Sequence, residues 1–187
     1  MKVRRRVLVI GPAGSGKTHL AKYFEKRGKV AFDCDGTPGL PRVEDAEGNP
    51  KEPTVEEWQE WSGLKWMWSR KKIEALLAAN PEVYLFGVAD NMYDFKPLFD
   101  ELYFLKADRE LIAKRLQNET RKNDFGRSPK QRDLVLNTLD NFAEDARKRG
   151  FKFIDASLSA SKIFEIICGD SKIMNIKQRV KPRNGLC

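Results

Sequence analysis

The residues with the clearest chemistry form one run, GPAGSGKT, from Gly11 to Thr18. The run matches G-x-x-x-x-G-K-[ST] at every fixed position, and it lies between a strand pattern and a helical pattern, the context that this motif needs. Glycines let backbone N–H groups turn towards phosphate oxygens, and the start of the following helix adds positive potential. We expect Lys17 to contact the β- and γ-phosphates of a nucleotide and the Thr18 hydroxyl to coordinate Mg²⁺. The other residues expected to bind the nucleotide here are Gly11, Ala13, Gly14, Ser15, Gly16 and His19.

Two aspartates end the second predicted strand, which covers residues 30–35. Strand alternation places Asp33 and Asp35 on one side and Phe32 and Cys34 on the other. In an open α/β sheet the carboxyl ends of the strands form the ligand crevice. A carboxylate there could accept a hydrogen bond from an acceptor hydroxyl, act as its base, or hold a Mg²⁺-bound water. The alternative is a solvated turn between strand and loop, for which Asp-Gly is common.

A third aspartate competes for the metal. Asp90 follows the apolar third strand predicted over residues 83–89, in the manner of a Walker B aspartate that binds the metal. Asn91 comes next and is a candidate substrate contact. The sequence therefore predicts that Mg²⁺ is bound by Thr18 together with either Asp33 or Asp90.

The elements that must position these residues alternate between strand and helix along the chain. With right-handed crossovers this order predicts an α/β, three-layer fold with a five-stranded parallel sheet and helices on both faces. The predicted strands cover residues 7–10, 30–35, 83–89, 101–107 and 151–156. The predicted helices cover residues 17–27, 54–79 with a possible break at Gly63, 129–149 and 159–168. A further helix is predicted after its cap Asp108 and includes residues 111–116. Residues 36–53 are expected to form a loop, and a capping box is expected at Thr54 and Glu57.

Composition favours one soluble domain. The chain has 187 residues, of which 41% are hydrophobic and 33% are charged, and no apolar run approaches the ~18 residues that cross a membrane. We therefore expect a cytoplasmic protein without membrane contact. Three widely spaced cysteines and one histidine argue against a disulfide framework or a zinc site.

The net charge of +8 belongs to the ends of the chain, because residues 1–10 and 171–187 carry nine Lys and Arg and no Asp or Glu. A basic end can follow a nucleic-acid backbone, and a solvated tail is the simpler alternative. We expect a catalytic domain over residues 1–169 and a basic C-terminal tail over residues 170–187. Nothing in the sequence points to a particular oligomeric state.

Taken in order, these motifs resemble those of small P-loop kinases of the nucleoside monophosphate kinase, shikimate kinase and gluconate kinase group, over roughly residues 3–168. Asp33-Cys34-Asp35 is similar to the Asp-x-Asp of shikimate kinases, which faces the metal and the acceptor hydroxyl. Residues 111–116, followed by Arg121 and by the run from Asn123 to Arg127, look like the helix and the arginine-bearing lid, here about 117–130. Asp155-Ala156-Ser157 is similar to the loop that passes the adenine.

The resemblance implies an ATP- and Mg²⁺-dependent transfer of the γ-phosphoryl group to an alcohol. It implies catalytic roles for Lys17, Asp33, Asp35 and Arg121, nucleotide contacts from Arg115 and Ser157, and substrate contacts from Asp35 and Arg127. Planar guanidinium groups suit the lid because they bind phosphoryl oxygens and keep their charge.

The sequence also departs from this group. Residues 87–90 read Gly-Val-Ala-Asp and lack the second glycine-rich stretch of shikimate kinases. Residues 36–64 contain a single arginine, Arg42, and so lack the arginine-rich segment of adenylate kinases. A weaker likeness, in residues 35–40, the tryptophan-rich segment and residues 123–126, is to bacterial and phage P-loop kinases. Some phage members phosphorylate hydroxymethyluracil in DNA.

Four tryptophans lie within eleven residues: Trp58, Trp61, Trp66 and Trp68. A helix would place Trp58 and Trp61 on one face, with Trp68 close to it. All four could be core residues. Alternatively, Trp58 and Trp61 could stack an acceptor base, as single-strand-binding and base-extruding proteins do.

The sequence thus favours a kinase acting on a hydroxyl of a nucleoside, a nucleotide or a hydroxymethylated base in DNA. A kinase of small sugar- or polyol-type metabolites is one alternative. A nucleotide sensor or ATPase with a nucleic-acid-binding tail is another. A GTPase is disfavoured, because Leu105 replaces the base-reading Asn of NKxD and only sixteen positions separate Lys17 from Asp33.

Overall fold

The computed structural model describes residues 4–118 and 123–177. Its strands are β1 Arg5–Ile10, β2 Ala31–Asp33, β3 Pro41–Glu44, β4 Lys65–Trp68, β5 Glu82–Phe86, β6 Glu101–Lys106 and β7 Lys152–Asp155. Its α-helices are α1 Lys17–Lys26, α2 Val55–Glu60, α3 Arg70–Ala79, α4 Arg109–Leu116, α5 Pro129–Lys148 and α6 Ala160–Lys177, with a 3₁₀ helix at Met92–Leu98.

The main sheet has five parallel strands in the order β2-β5-β1-β6-β7, which confirms the predicted sheet. Strand alternation divides its side chains between two layers. Leu8 and Ile10 face a core that includes Ile73 of α3 and Ala146 of α5. The opposite face of β1 packs in a second core with residues of α1 and α6 such as Phe24 and Ile163. Helices therefore cover both faces, as predicted.

The basic start of the chain is used by the fold. Arg5 donates from Nε to Glu101 Oε1 over 2.6 Å, and Arg4 pairs with Asp100 over 3.0 Å. The Arg6 guanidinium donates to the carbonyl of Leu77. The contacts of Arg5 and Arg6 tie β1 to its neighbours, while the Arg4 side chain stays mostly exposed in its ion pair.

Strands β3 and β4 form a second, antiparallel sheet. Two predictions are therefore wrong: β3 lies in the predicted loop over residues 36–53, and β4 interrupts the predicted helix over residues 54–79. The predicted capping box at Thr54 and Glu57 is confirmed at the start of α2. The helix then ends because Trp61 and Gly63 adopt left-handed backbone conformations, with φ of 47° and 70°. The run Lys-Trp-Met-Trp that follows alternates as a strand and pairs with β3.

Other boundaries moved as well. β5 ends at Phe86, so Asp90 stands four residues beyond the strand rather than at its end. Helix α6 continues to Lys177, nine residues beyond the predicted end, and so enters the segment assigned to the tail. The predicted caps Asp108 and Ser159 accept from the backbone N–H groups of Leu111 and Lys162. Within the described residues, no helix is both long and apolar enough to span a membrane.

Candidate active site

The loop between β1 and α1 has the backbone of a phosphate-binding loop. Gly14 and Gly16 adopt φ of 83° and 100°, a region that favours glycine because it has no Cβ. The buried Lys17 ammonium donates to the carbonyls of Gly11 and Pro12 over 2.7 and 3.0 Å. Thr18 and His19 are exposed on the first turn of α1. The loop thus leads into the start of α1, and the Lys17 side chain reaches back across the loop to its first two carbonyls.

The loop also contains a buried hydroxyl, that of Ser15. Ser15 is 2% exposed, and its Oγ has no hydrogen-bond partner among the described residues. A Cβ at Gly11 would lie 2.8 Å from this Oγ and 3.0 Å from Leu105. Burying a hydroxyl unsatisfied costs about 1–3 kcal/mol, so Ser15 is suited to donate to a ligand such as a phosphate oxygen.

Arg115, in the last turn of α4, joins the loop to the sheet. One of its terminal nitrogens lies 3.4 and 3.3 Å from the carbonyls of Gly14 and Ser15, and the other donates to Ala156 over 3.0 Å. Ser157 is exposed in the turn that begins at Ala156. The structure therefore brings together the P-loop, Arg115 and Ser157, three of the predicted nucleotide contacts.

Asp33 ends β2, and one of its carboxylate oxygens is buried without a hydrogen-bond partner in the part of the chain that the structure describes. Its main-chain carbonyl accepts from the hydroxyl of Thr37 over 2.7 Å and from the N–H of Gly36 over 3.1 Å, which holds the turn after the strand. A buried oxygen of this kind needs a donor or a cation. Hydroxyl and carboxylate oxygens are the ligands that Mg²⁺ prefers, so Thr18 and Asp33 fit this ion.

The described residues contain no cluster of three or more His, Cys, Asp or Glu that could hold a metal ion. Mg²⁺ in nucleotide enzymes is commonly held by one or two protein oxygens together with phosphates and waters. A sparse donor set is therefore compatible with Mg²⁺.

Asp35 is held by two indoles and one backbone amide. Its Oδ1 accepts from Trp66 Nε1 over 3.2 Å and from Trp68 Nε1 over 3.3 Å. The N–H of Val88 lies 3.3 Å from Oδ1 and 3.2 Å from Oδ2. Burial raises the pKa of Asp35, while the Lys17 ammonium and the Trp66 indole partly oppose that rise. The carboxylate is therefore fixed by three neutral donors.

Gly87 makes this arrangement possible and was not among the predicted site residues. A Cβ there would lie 2.5 Å from Trp68 Cζ2, 2.9 Å from the Cβ of Cys34 and 3.1 Å from Asp35 Oδ1. No side chain fits in that space. The available signal was a glycine directly after an apolar strand.

Asp90 and Asn91 hold strand β4. Asp90 accepts from the N–H of Trp66 over 2.6 Å and donates from its own N–H to the Trp66 carbonyl over 2.7 Å. Asn91 accepts from the N–H of Trp68 over 2.9 Å and donates from Nδ2 to the Trp68 carbonyl over 3.0 Å. Burial raises the pKa of Asp90. The prediction that Asp90 ends its strand is wrong, and its carboxylate, like the Asn91 amide, contacts the β4 backbone.

The four tryptophans separate into different environments. Trp68 is 1% exposed and belongs to the core. Half-buried Trp58 and Trp61 meet edge to face at 5.2 Å between ring centroids, and Phe125 lies 5.1 Å from Trp61. Trp66 is 6.2 Å from Trp58 and packs against the core. The predicted helical face shared with Trp68 is therefore wrong, and Trp58 and Trp61 pack instead against the lid segment.

Polar contacts fasten α2 to the segment where the lid meets α5. Ser128 Oγ donates to the carbonyl of Gln59 over 2.8 Å. Gln131, 1% exposed, accepts from the N–H of Gly126 over 2.8 Å and donates to the carbonyl of Trp58. We call these contacts, with the Trp58–Trp61–Phe125 cluster, the latch.

The lid arginines are placed only in part. Arg127 is exposed and pairs with Asp124 over 3.0 Å, so its predicted contact with substrate stays a prediction. Arg121 lies outside the described residues.

No protein-family model matches the chain, and no curated protein matches it in sequence. Among solved structures, it is similar to the deoxyadenosine kinase from M. mycoides with bound dATP, at 14% identity and a TM-score of 0.52 over 89% of this chain and 99% of that one. It is also similar to a gluconokinase from Sinorhizobium meliloti 1021, at 16% identity and a TM-score of 0.53 over 97% and 100%. The chain thus has the fold of the small P-loop kinases, as its motifs predicted.

Proposed function

We propose that the protein is an ATP-dependent kinase that transfers the γ-phosphoryl group to a hydroxyl of a nucleoside, a nucleotide or a hydroxymethylated base in DNA. The observation that carries the proposal is the fixed Asp35 carboxylate, which Trp66, Trp68 and Val88 hold at the edge of the sheet where the P-loop leaves β1. A protein that only binds or hydrolyses ATP needs the phosphate-binding loop but no such carboxylate. A fixed carboxylate at this edge suits an acceptor hydroxyl.

On the donor side, backbone N–H groups of the loop, Ser15 and Lys17 bind the phosphates. Positive charge there stabilises the transferring group, whose charge spreads over its oxygens in the transition state. Arg115 keeps the loop in place through its contacts with Gly14 and Ser15. Arg121 is proposed to add charge from the lid, as the family resemblance implies.

Thr18 and Asp33 are the residues that would hold Mg²⁺. When bound, the ion neutralises phosphate charge and orients the γ-phosphoryl group. We assign this role to Asp33 rather than Asp90, because Asp33 has a buried, unpartnered oxygen while Asp90 accepts from the N–H of Trp66.

On the acceptor side, Asp35 orients the hydroxyl. The hydroxyl oxygen attacks Pγ, the bond from Pγ to the β–γ bridging oxygen breaks, and the hydroxyl proton passes to Asp35 as ADP leaves. Burial raises the pKa of Asp35, which makes the carboxylate a better base than in water.

Charge pairing favours an uncharged acceptor. Between residues 36 and 64 the cations are Arg42 and Lys51. Arg42 pairs with Glu44 over 2.5 Å, and Lys51 pairs with Glu57 over 2.5 Å. A sugar acid or a nucleotide phosphate would need free cations in this segment. The half-buried Trp58 and Trp61 offer aromatic surface to a base. A nucleoside or a base is therefore favoured over a nucleotide, and also over a sugar or polyol, which has no base to stack.

The direct test supplies γ-labelled ATP and Mg²⁺ with nucleosides, nucleotides, sugars and hydroxymethylated DNA. We expect label on one of the base-containing acceptors and a loss of about a hundredfold or more in Asp35→Asn. ATP hydrolysis without transfer to any acceptor, unchanged in Asp35→Asn, would favour the ATPase or sensor instead.

DNA as the acceptor has its own test. Residues 178–187 hold Arg179, Lys181 and Arg183, and deletion of this segment removes three positive charges. If DNA is the acceptor, we expect weaker, less salt-sensitive DNA binding and slower transfer to DNA. Unchanged transfer to DNA would show that this segment is not needed, and transfer to a free nucleoside serves as the control.

A further inference from the structure

We infer that strand β4 is the positioning element of Asp35, and that Asp90 and Asn91 act through it. The inference rests on the proposed function, because Asp35 is the proposed acceptor-binding carboxylate. It assigns positioning roles to four residues: Trp66, Trp68, Asp90 and Asn91.

Two indoles from one face of β4 contact the same oxygen. Trp66 and Trp68 are two residues apart, so strand alternation points both side chains the same way. Their Nε1 atoms lie 3.2 and 3.3 Å from Asp35 Oδ1. Indole donors are neutral, so they fix the carboxylate without cancelling its charge. A lysine or arginine in that place would form an ion pair and reduce the basicity of Asp35.

The contacts leave the two carboxylate oxygens unequal. Oδ1 has three donors within 3.3 Å, namely Trp66, Trp68 and Val88. Oδ2 has the Val88 N–H at 3.2 Å. A carboxylate oxygen accepts about two hydrogen bonds, so Oδ1 is saturated and Oδ2 can accept from a further donor. The geometry therefore assigns the acceptor hydroxyl to Oδ2.

The same two tryptophans are held by their backbones. Asp90 exchanges two hydrogen bonds with the backbone of Trp66, and Asn91 exchanges two with the backbone of Trp68. The other edge of β4 pairs with β3. Both edges of β4 are thus held by hydrogen bonds along the stretch that carries the two indoles. A shift of β4 by one residue would turn both indoles away from Asp35.

The first test reads the hydrogen bonds directly and needs no activity. In ¹H–¹⁵N NMR spectra of the full chain, Trp66→Phe and Trp68→Phe identify the two indole N–H signals. We expect Asp35→Ala to shift both signals upfield, as the loss of a charged acceptor requires, and Asp45→Ala to leave them unchanged. Asp45 is a matched control, since its carboxylate accepts from Asn49 in the turn after β3. Unchanged chemical shifts of both indole N–H signals in Asp35→Ala would overturn the inference.

The second test separates the positioning role of Asp90 from metal binding. Asp90→Asn keeps an oxygen that can accept from the N–H of Trp66, whereas Asp90→Ala does not. For a positioning residue we expect near-normal activity and indole signals in Asp90→Asn, and a loss of tenfold or so in acceptor kcat/KM in Asp90→Ala. A metal ligand gives the opposite pattern, with Asp90→Asn strongly impaired and rescued by high Mg²⁺.

The third test asks whether the indoles act through Asp35. We expect Trp66→Phe to lower acceptor kcat/KM about tenfold, with the KM for ATP unchanged. In an Asp35→Asn background the same substitution should have little further effect, because coupled residues are not additive. Additive losses, or an equal change in the KM for ATP, would contradict positioning. If the wild-type protein phosphorylates no acceptor, the proposed function fails. The NMR spectra still show whether the Trp66 and Trp68 indoles donate to Asp35, so the two failures are distinguishable.

Discussion

The donor side and the acceptor side of the candidate site are built in different ways. The donor side comes mainly from eight consecutive residues, Gly11 to Thr18, with Arg115 bracing them. The acceptor side gathers Asp35, the β4 tryptophans and the turn from Gly87 to Asn91, which are separated by long stretches of chain. The first is set by local backbone geometry, and the second depends on packing between segments.

This difference predicts which property a substitution on each side will change. A phosphate-binding loop needs glycines at defined φ values and one lysine, and these are intrinsic to the sequence run. The position of Asp35 depends on neutral hydrogen bonds and on the space beside Gly87. Substitutions on the donor side should therefore abolish chemistry with little change elsewhere, while those on the acceptor side should change stability and acceptor use together.

The largest effect is expected at the donor side. Lys17→Ala removes the ammonium proposed to bind the β- and γ-phosphates, and we expect transfer to fall about a thousandfold or more. Steady-state transfer from labelled ATP measures it. Lys26→Ala, on the exposed last turn of the same helix, should leave the rate unchanged. A Lys17→Ala protein with near-normal transfer would contradict the role of the loop.

Gly87→Ala tests the acceptor side. The added Cβ would lie 2.5 Å from Trp68 Cζ2, so we expect a loss of about 1–3 kcal/mol in the free energy of unfolding and a lower acceptor kcat/KM. Denaturant unfolding and kinetics measure both. Gly169→Ala is the matched control, because it lies in α6 and its added Cβ would meet no described residue beyond the adjoining turns of that helix within 4 Å. Equal stability of the two variants would mean that the space beside Trp68 is not tight.

The latch tests whether the two sides are coupled. Gln131→Leu leaves the Gly126 N–H and the Trp58 carbonyl without their partner, and we expect a loss of about 1–3 kcal/mol in stability. If the latch aligns the lid with α2, the KM values for ATP and acceptor should both rise. Lys130→Ala removes an exposed ion pair with Glu60 and should change stability by less than about 1 kcal/mol. A change in only one KM would show that the sides act independently.

The smallest effect is expected away from both sides, at the β1–β6 pairing. Burial raises the pKa of Glu101, but hydrogen bonds from Arg5 and Tyr103 outweigh it and leave the pKa below its usual 4.5. A group with a depressed folded-state pKa stabilises the fold above its unfolded-state pKa, and this contribution is lost as the pH falls through the folded-state pKa. We therefore expect Glu101→Gln to be less stable than wild type at neutral pH, with the difference shrinking below about pH 4. Denaturant unfolding at several pH values measures it, and a difference constant down to the lowest pH would contradict this origin.

Much of the fold was predictable because its signals are local. The P-loop, the capping box at Thr54 and Glu57, and the cap at Asp108 each depend on residues within a few positions of each other. The five-stranded sheet followed from alternation of strand and helix patterns. The candidate residues Lys17, Asp33 and Asp35 came from the same local patterns, whereas the roles of Trp66, Trp68 and Gly87 did not.

The hairpin of β3 and β4 was missed for a physical reason. Lys-Trp-Met-Trp follows a capped helix and precedes another, so the local pattern favoured helix. Its extended form is stabilised by β3 on one edge and by Asp90 and Asn91 on the other. Tertiary contacts of this kind override weak local propensity.

The sequence by itself determined the phosphate-binding loop, the strands of the main sheet and Asp33 at the end of β2, because backbone conformation and hydrophobic periodicity are properties of neighbouring residues. Asp35 was predicted in the same strand, but β2 ends at Asp33 and Asp35 lies in the turn that follows. Only the tertiary structure decided which aspartate carries an unpartnered oxygen, that two indoles hold Asp35, and that Asp90 holds a strand. Those facts depend on hydrogen bonds between residues such as Asp35 and Trp68, 33 positions apart. Their partners are chosen by packing, which no local pattern encodes.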